Sequence, residues 1–248
     1  MCLAAFALNA HPRFPLVIAA NRDEFFARPA APMAWWPAGS TQVLAGRDLE
    51  AGGTWFGLTR TGRLALLTNV REPGRQVAGA PSRGDLVVDW LTGTADAPAF
   101  VHSLRAGYNG FNLVMADLPG GTWHWFSNRA DGPVALPQGL HGLSNASLDT
   151  PWPKTRGLKA DLAAALASAV SAEALMGQLL LALADDRPAP DTDLPDTGVG
   201  LARERLLSPR FVRMAPPDGG EAVYGTRCST VLVTEALPDG RRLTRVLE

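Results

Sequence analysis

The chain has 248 residues, 46% of them hydrophobic, and a formal net charge of −1. That is enough for one large domain with a sizeable core or two small ones, and so even a charge balance argues against nucleic acid or an anionic membrane as a partner. No run approaches the ~18 apolar residues of a membrane span, so stable membrane insertion is not expected.

The first residues, Cys2 to Leu8 and then Leu16 to Ala20, read as a hairpin punctuated by Pro12 and Pro15. Both runs are apolar at nearly every position, the pattern of strands covered on both faces. The second run stops in four polar residues, Asn21-Arg22-Asp23-Glu24. Pro29 to Pro37, with the Trp35-Trp36 pair, reads as an irregular segment. Gly52 to Leu58 and Arg63 to Asn69 form a second hairpin about Arg60-Thr61-Gly62. Ser82 is the candidate N-cap of a helix to about Leu91, stopped by Gly93. A weaker helix follows from about Ala97 to Arg105.

A third hairpin, Phe111 to Asp117 and Thr122 to Asn128, turns at Pro119-Gly120-Gly121. Leu140 to Ser144 is a short strand ending at Asn145. Two Ala/Leu-rich helices are expected over about 155–169 and 172–184, then a surface loop from Arg187 to Gly200 and a short helix near Leu201–Leu207. Ala222 to Thr234 and Arg241 to Leu247 make a last hairpin across Pro238-Asp239-Gly240. Strands in hairpins and helices in clusters give an antiparallel α+β class rather than alternating βαβ units. Strands buried on both faces are best served by two sheets packed together with helix layers outside. No internal repeat or boundary divides the chain, so a single domain over 1–248 is expected.

The start of the chain carries the sharpest chemistry. Removal of the initiator Met, the normal outcome before a small side chain, would leave Cys2 with a thiol nucleophile and an α-amine on one residue. The unperturbed amine pKa of about 7.7–8 suits a general base near neutral pH. This is the logic of N-terminal-nucleophile hydrolases. The plainer reading of Cys2 is a small core residue on an apolar strand. The two cysteines, Cys2 and Cys228, form no disulfide framework. The four histidines, at 11, 102, 124 and 141, show no metal-ligand spacing, and no glycine loop would cradle phosphate. No basic region precedes an apolar run at the N-terminus, so no signal peptide is expected and the compartment is expected to be cytoplasmic.

Several local motifs occur in order: Ala20-Asn21-Arg22-Asp23-Glu24-Phe25, Gly52-Gly53-Thr54-Trp55, Leu67-Thr68-Asn69, Tyr108-Asn109-Gly110-Phe111-Asn112-Leu113, Gly142-Leu143-Ser144-Asn145, Asp149-Thr150-Pro151-Trp152-Pro153-Lys154 and Tyr224-Gly225-Thr226-Arg227. Together they resemble the NRDE family, also called the Transport and Golgi organization protein 2 family, along essentially the whole chain. The resemblance implies the four-layer αββα sandwich of the N-terminal-nucleophile hydrolases, two mainly antiparallel sheets between helix layers. Conjugated bile salt hydrolases and related acyl-amide amidases are the enzymatic relatives it implies.

Residue by residue, the resemblance makes Cys2 the nucleophile and Asp23, through Asn21-x-Asp23, the residue that holds the α-amine. Asn145 is the implied oxyanion donor and Asn69 a second. Arg22 stands two residues beyond the position of the amidases' arginine, which is Ala20 here. Arg227 matches their later arginine loosely. The implied activity is hydrolysis of a non-peptide C–N bond in a small acylated substrate. The alternative is a binding or trafficking protein for haem or a lipid-like cargo, with haem as cargo and no cofactor of the protein's own. The oligomeric state is not implied. Cys2 and Cys228 are expected not to bridge: if Arg227 points into the site, its neighbour Cys228 points toward the covering helices.

Overall fold

The computed structural model describes residues 3–216 and 220–248. Among these, Arg28–Pro137 make one compact unit, and the residues up to Ala27 together with Gln138–Glu248 make a second.

The first unit holds β3 (Ala30–Ala38), β4 (Thr41–Asp48), β5 (Phe56–Thr59), β6 (Arg63–Asn69), β7 (Phe111–Asp117), β8 (Thr122–Ser127) and β9 (Val134–Ala135) in one antiparallel seven-stranded sheet, in that order. Two helices, α1 (Arg83–Thr92) and α2 (Ala97–Ser103), accompany it. Ser82 caps α1, its Oγ accepting the N–H of Gly84 at 3.2 Å, and Asp96 caps α2 from its side chain. Alternate residues of β6 and β7, among them Ala65, Leu67, Phe111, Leu113 and Met115, pack with Leu86, Val87, Trp90 and Leu91 of α1. The segment 29–37, expected to be irregular, is the strand β3, and β4 was not anticipated. The reason is position: β3 is an edge strand, where proline removes no ladder bond that the sheet needs, and a register shift between Ala31 and Ala34 spans Pro32.

The second unit holds β1 (Leu3–Leu8), β2 (Leu16–Phe25), β10 (Gly139–Leu143), β11 (Arg213–Met214), β12 (Tyr224–Ala236) and β13 (Arg242–Leu247). The sheet order is β10-β1-β2-β12-β11, with β13 also on β12, and every pairing is antiparallel. Helices α3 (Pro153–Ser168) and α4 (Ala172–Leu183) cover one face, and α5 (Leu201–Leu206) is short. Leu3, Ala5, Ala7, Val17, Ala19, Val231 and Val233 face α3 and α4, packing with Leu158, Leu162, Leu175 and Leu179. The intervening residues, Ala4, Phe6, Ile18, Ala20 and Leu232, are equally buried and face the other way. That is why the strands read as unbroken apolar runs.

β2 does not stop at Ala20. It continues to Phe25, so Asn21-Arg22-Asp23-Glu24 lie inside the strand rather than past its end. The extension comes from β12, which pairs with β2 from Thr234↔Leu16 to Tyr224↔Phe25. A bulge between Thr226 and Cys228 shifts that register. Among the described residues, no helix is long and apolar enough to cross a membrane.

Candidate functional site

Buried polar residues of β2 and of the segment after β10 flank the head of β1. Leu3 pairs with Asn21 of β2, and Ala4 pairs with Leu143 of β10. Arg22 and Asp23 therefore continue past Leu3 on one side, and Ser144 and Asn145, directly after β10, follow on the other. Cys2 precedes Leu3 in the chain. It lies outside the described residues, and with it the expected roles of Asp23 and Asn145 toward it.

Asn21, Arg22 and Asp23 are buried, but they do different things. Asn21 Nδ2 donates to the carbonyls of Leu183 at 2.9 Å and Arg210 at 2.8 Å, and Ser229 Oγ donates to Asn21 Oδ1 at 2.7 Å. Donors and acceptor are both used, so Asn21 ties the strand to the chain above it. Arg22 lies on the opposite face, the one shared with Ala20, and is only 5% exposed. A displacement of two residues along a strand preserves the face. The arginine is thus on the side where Ala20 also points, with Glu24 Oε2 3.7 Å from its Nη2.

Asp23 is paired across the sheet with Thr226, whose Oγ1 donates to Asp23 Oδ1 at 2.7 Å. Thr226 is the functional candidate that the sequence reading passed over. It sits inside the quoted motif Tyr224-Gly225-Thr226-Arg227, and its signal is the glycine before it. A Cβ on Gly225 would lie 2.4 Å from the carbonyl oxygen of Val212, so only glycine lets the two chains come this close.

Asn145 is 7% exposed, and Ser144 Oγ lies 3.5 Å from its Oδ1. The loop carrying it is stapled by Asp149. The Asp149 carboxylate accepts from the N–H of Gly142 at 2.8 Å and from Lys159 Nζ, and lies 3.0 Å from His141 Nδ1. The Asp149 N–H returns a bond to the Gly142 carbonyl at 2.7 Å. Burial works to raise the Asp149 carboxyl, but the bonds from Lys159, His141 and Gly142 outweigh it and hold it below its ordinary 3.8. Asp149 has φ +56°, a left-handed conformation that aspartate tolerates better than most residues. Gly142 is again a close-approach position, since a Cβ there would meet Thr155 Cγ2 at 2.5 Å.

Of the two remaining candidates, Asn69 belongs to the first unit and Arg227 to the second. Asn69 ends β6 of the first unit, in register with Phe111. Arg227 is half-exposed at the bulge of β12. Its Nη1 donates to the carbonyls of Phe25 and Phe26, both at 2.9 Å, so it secures the chain as it leaves β2. Cys228 does not point toward α3 and α4 as expected. It is in register with Arg22, on the face turned away from those helices. The bulge explains this: one extra residue reverses the alternation that the expectation assumed. Burial first, and then the Glu248 carboxylate, push the Cys228 thiol up to about 12 against the pull of Arg22 and Arg227. It is a poor nucleophile at neutral pH. Among the described residues, no group of three or more His, Cys, Asp or Glu is placed to hold a metal ion.

The fold, α+β with two antiparallel sheets and their helices, is of the N-terminal-nucleophile hydrolase type. Over the whole length of both chains it matches a Caenorhabditis elegans N-acylethanolamine-hydrolyzing acid amidase ortholog with a TM-score of 0.50 at 13% identity. The sequence profile described as Transport and Golgi organisation 2 matches residues 1–241. The Transport and Golgi organization protein 2 homolog of Bos taurus is 36% identical over 252 residues, covering 95% of this chain and 89% of that one. The Homo sapiens homolog is 34% identical over the same coverage. The chain belongs to the Transport and Golgi organisation 2 family.

Proposed function

We propose that the protein is an N-terminal-cysteine amidohydrolase acting on the linear C–N bond of a small acylated substrate. What supports this most is the register: Asp23 stands two residues beyond Asn21, the β2 partner of Leu3, and Asn145 two residues beyond Leu143, the β10 partner of Ala4, so the two flank the head of the strand that follows Cys2 in the chain. Among proteins of like fold, the Caenorhabditis elegans chain is named for hydrolysing N-acylethanolamines, substrates of that bond class.

In the proposed reaction the α-amine of Cys2, held by Asp23, takes the thiol proton, directly or through a water. The thiolate attacks the substrate carbonyl, and the oxyanion is met by Asn145 Nδ2 and a backbone N–H. The C–N bond breaks as the amine returns its proton to the leaving nitrogen. Water then hydrolyses the thioester, releasing the acid and restoring the thiol. Arg22, buried on its own face of β2, supplies a fixed positive charge near the strand end.

The test is turnover of a panel of N-acyl amides, graded in acyl length, by the wild-type chain and by Cys2→Ala. Hydrolysis by the wild type and none by a folded Cys2→Ala variant is expected. Full activity in that variant would remove nucleophilic catalysis at this residue.

A further inference from the structure

If Asp23 holds the Cys2 amine, whatever holds Asp23 belongs to the same machinery; the inference therefore rests on the function proposed above. Thr226 lies opposite Asp23 in the β2–β12 register. Its Oγ1 accepts the backbone N–H of Val212 at 2.9 Å. That bond occupies a lone pair of the hydroxyl and leaves its proton for Asp23 Oδ1, 2.7 Å away. The N–H of Thr226 donates in turn to the Val212 carbonyl at 2.8 Å, closing a two-way clasp between the two segments. The clasp exists because residue 225 is glycine, as the 2.4 Å approach above requires. Asp23 is 1% exposed, Thr226 6% and Val212 0%, so little water competes for these bonds.

A hydroxyl fixed on both sides in a dry setting has one orientation, and it transmits that orientation to the group it bonds. A threonine that merely filled space would need no such arrangement; valine has the same shape. We infer that Thr226 is a positioning residue of the site: its hydroxyl, oriented by the Val212 backbone, fixes the Asp23 carboxylate, and Asp23 sets the Cys2 amine. Thr226 acts only through Asp23.

The experiment measures alkylation of Cys2 by iodoacetamide in the full chain, mapped by peptide mass spectrometry across the range in which an α-amine titrates, about pH 6–9. The variants are Thr226→Val, Thr226→Ser, Asp23→Asn and the double variant Asp23→Asn/Thr226→Val. Labelling of Cys228 in the same samples reports any loosening of β12. Thr226→Val is expected to slow Cys2 modification about ten-fold, the scale of one hydrogen bond to a charged group. Thr226→Ser, which keeps the hydroxyl, restores the rate. In the Asp23→Asn background Thr226→Val adds nothing, and Cys228 labelling stays constant.

Three results would overturn the inference. Thr226→Val could leave the Cys2 rate unchanged while Asp23→Asn slows it; it could slow Cys2 by the same factor with or without Asp23; or its effect on Cys2 could rise in step with Cys228 labelling, which marks a structural role. Should Asp23→Asn itself leave Cys2 unaffected, the reading of Asp23 fails first and Thr226 falls with it. Thr226→Ala, read in the same way, takes the place of Thr226→Val if the latter does not fold.

Discussion

Two buried polar clusters, one in each unit, make an instructive pair. In the first unit Asn112, the second residue of β7, lies between β6 and β8 of the seven-stranded sheet. Its Nδ2 donates to Thr68 Oγ1 at 3.0 Å, and Trp125 Nε1 donates to its Oδ1 at 3.2 Å. The three residues come from adjacent strands, and Thr68 and Asn112 are fully buried. In the second unit the candidate residues flank the head of β1, Asp23 held by Thr226 from a remote strand and the loop of Asn145 by its near neighbour Asp149. Thr226 orients on Val212, and Asp149 staples the loop of Asn145. Among neighbouring strands of one sheet, such a polar group closes on its neighbours and holds the sheet together. In the second unit, the support is directed onto Asp23 and the loop of Asn145, which flank Leu3 at the head of β1. Burial alone does not separate structural from chemical polar groups; what their partners do with them does.

The comparison breaks first at Asn145. Asn145→Ala is expected to lower kcat about 10²–10³-fold, the usual consequence of losing one oxyanion donor, with little change in melting temperature. A large loss of stability with kcat intact would place Asn145 in the same class as Asn112. Conversely, Asn112→Ala leaves Thr68 and the Trp125 indole without their shared amide and should destabilise the fold by about 2–4 kcal/mol. Measured well below its melting temperature, that variant should retain wild-type kcat.

A smaller effect sharpens the second half of the comparison. The native carboxyl of Asp149 is held below its ordinary value of 3.8. A group depressed in the native state contributes stability above its unfolded pKa and loses it as pH falls through the native one. Asp149→Asn should therefore lower the melting temperature modestly at neutral pH, and the gap to wild type should close as pH falls below about 4. A gap that persists at low pH would mean that the carboxylate is not the staple.

Much of this was legible in the sequence. The hairpins of β1–β2, β5–β6 and β7–β8 and the cap at Ser82 follow from local apolar runs, turn residues and one side-chain oxygen. What was not legible depends on residues remote in the chain. Asn21-Arg22-Asp23-Glu24 looked like the end of a strand because nothing nearby shows that β12, some two hundred residues later, pairs with it. Pro32 and Pro37 read as irregular because edge position is a property of the finished sheet. The facing of Cys228 was missed because one bulged residue reverses an alternation that sequence can only assume. In the candidate site, Asp23 and Asn145 were named by the family resemblance of their motifs, whereas the clasp on Asp23 needs Val212 and could be glimpsed only in Gly225.

The central claim is that a processed Cys2 is the nucleophile, and one measurement tests it most directly: the intact mass of the purified, active chain before and after reaction with an electrophilic acyl probe, with the adduct mapped to a residue. The account predicts a chain that has lost Met1 and carries one acyl group on Cys2, with Cys228, its thiol pushed up to about 12, unmodified. An active chain that retains Met1, or an adduct on Cys228 in place of Cys2, would contradict it.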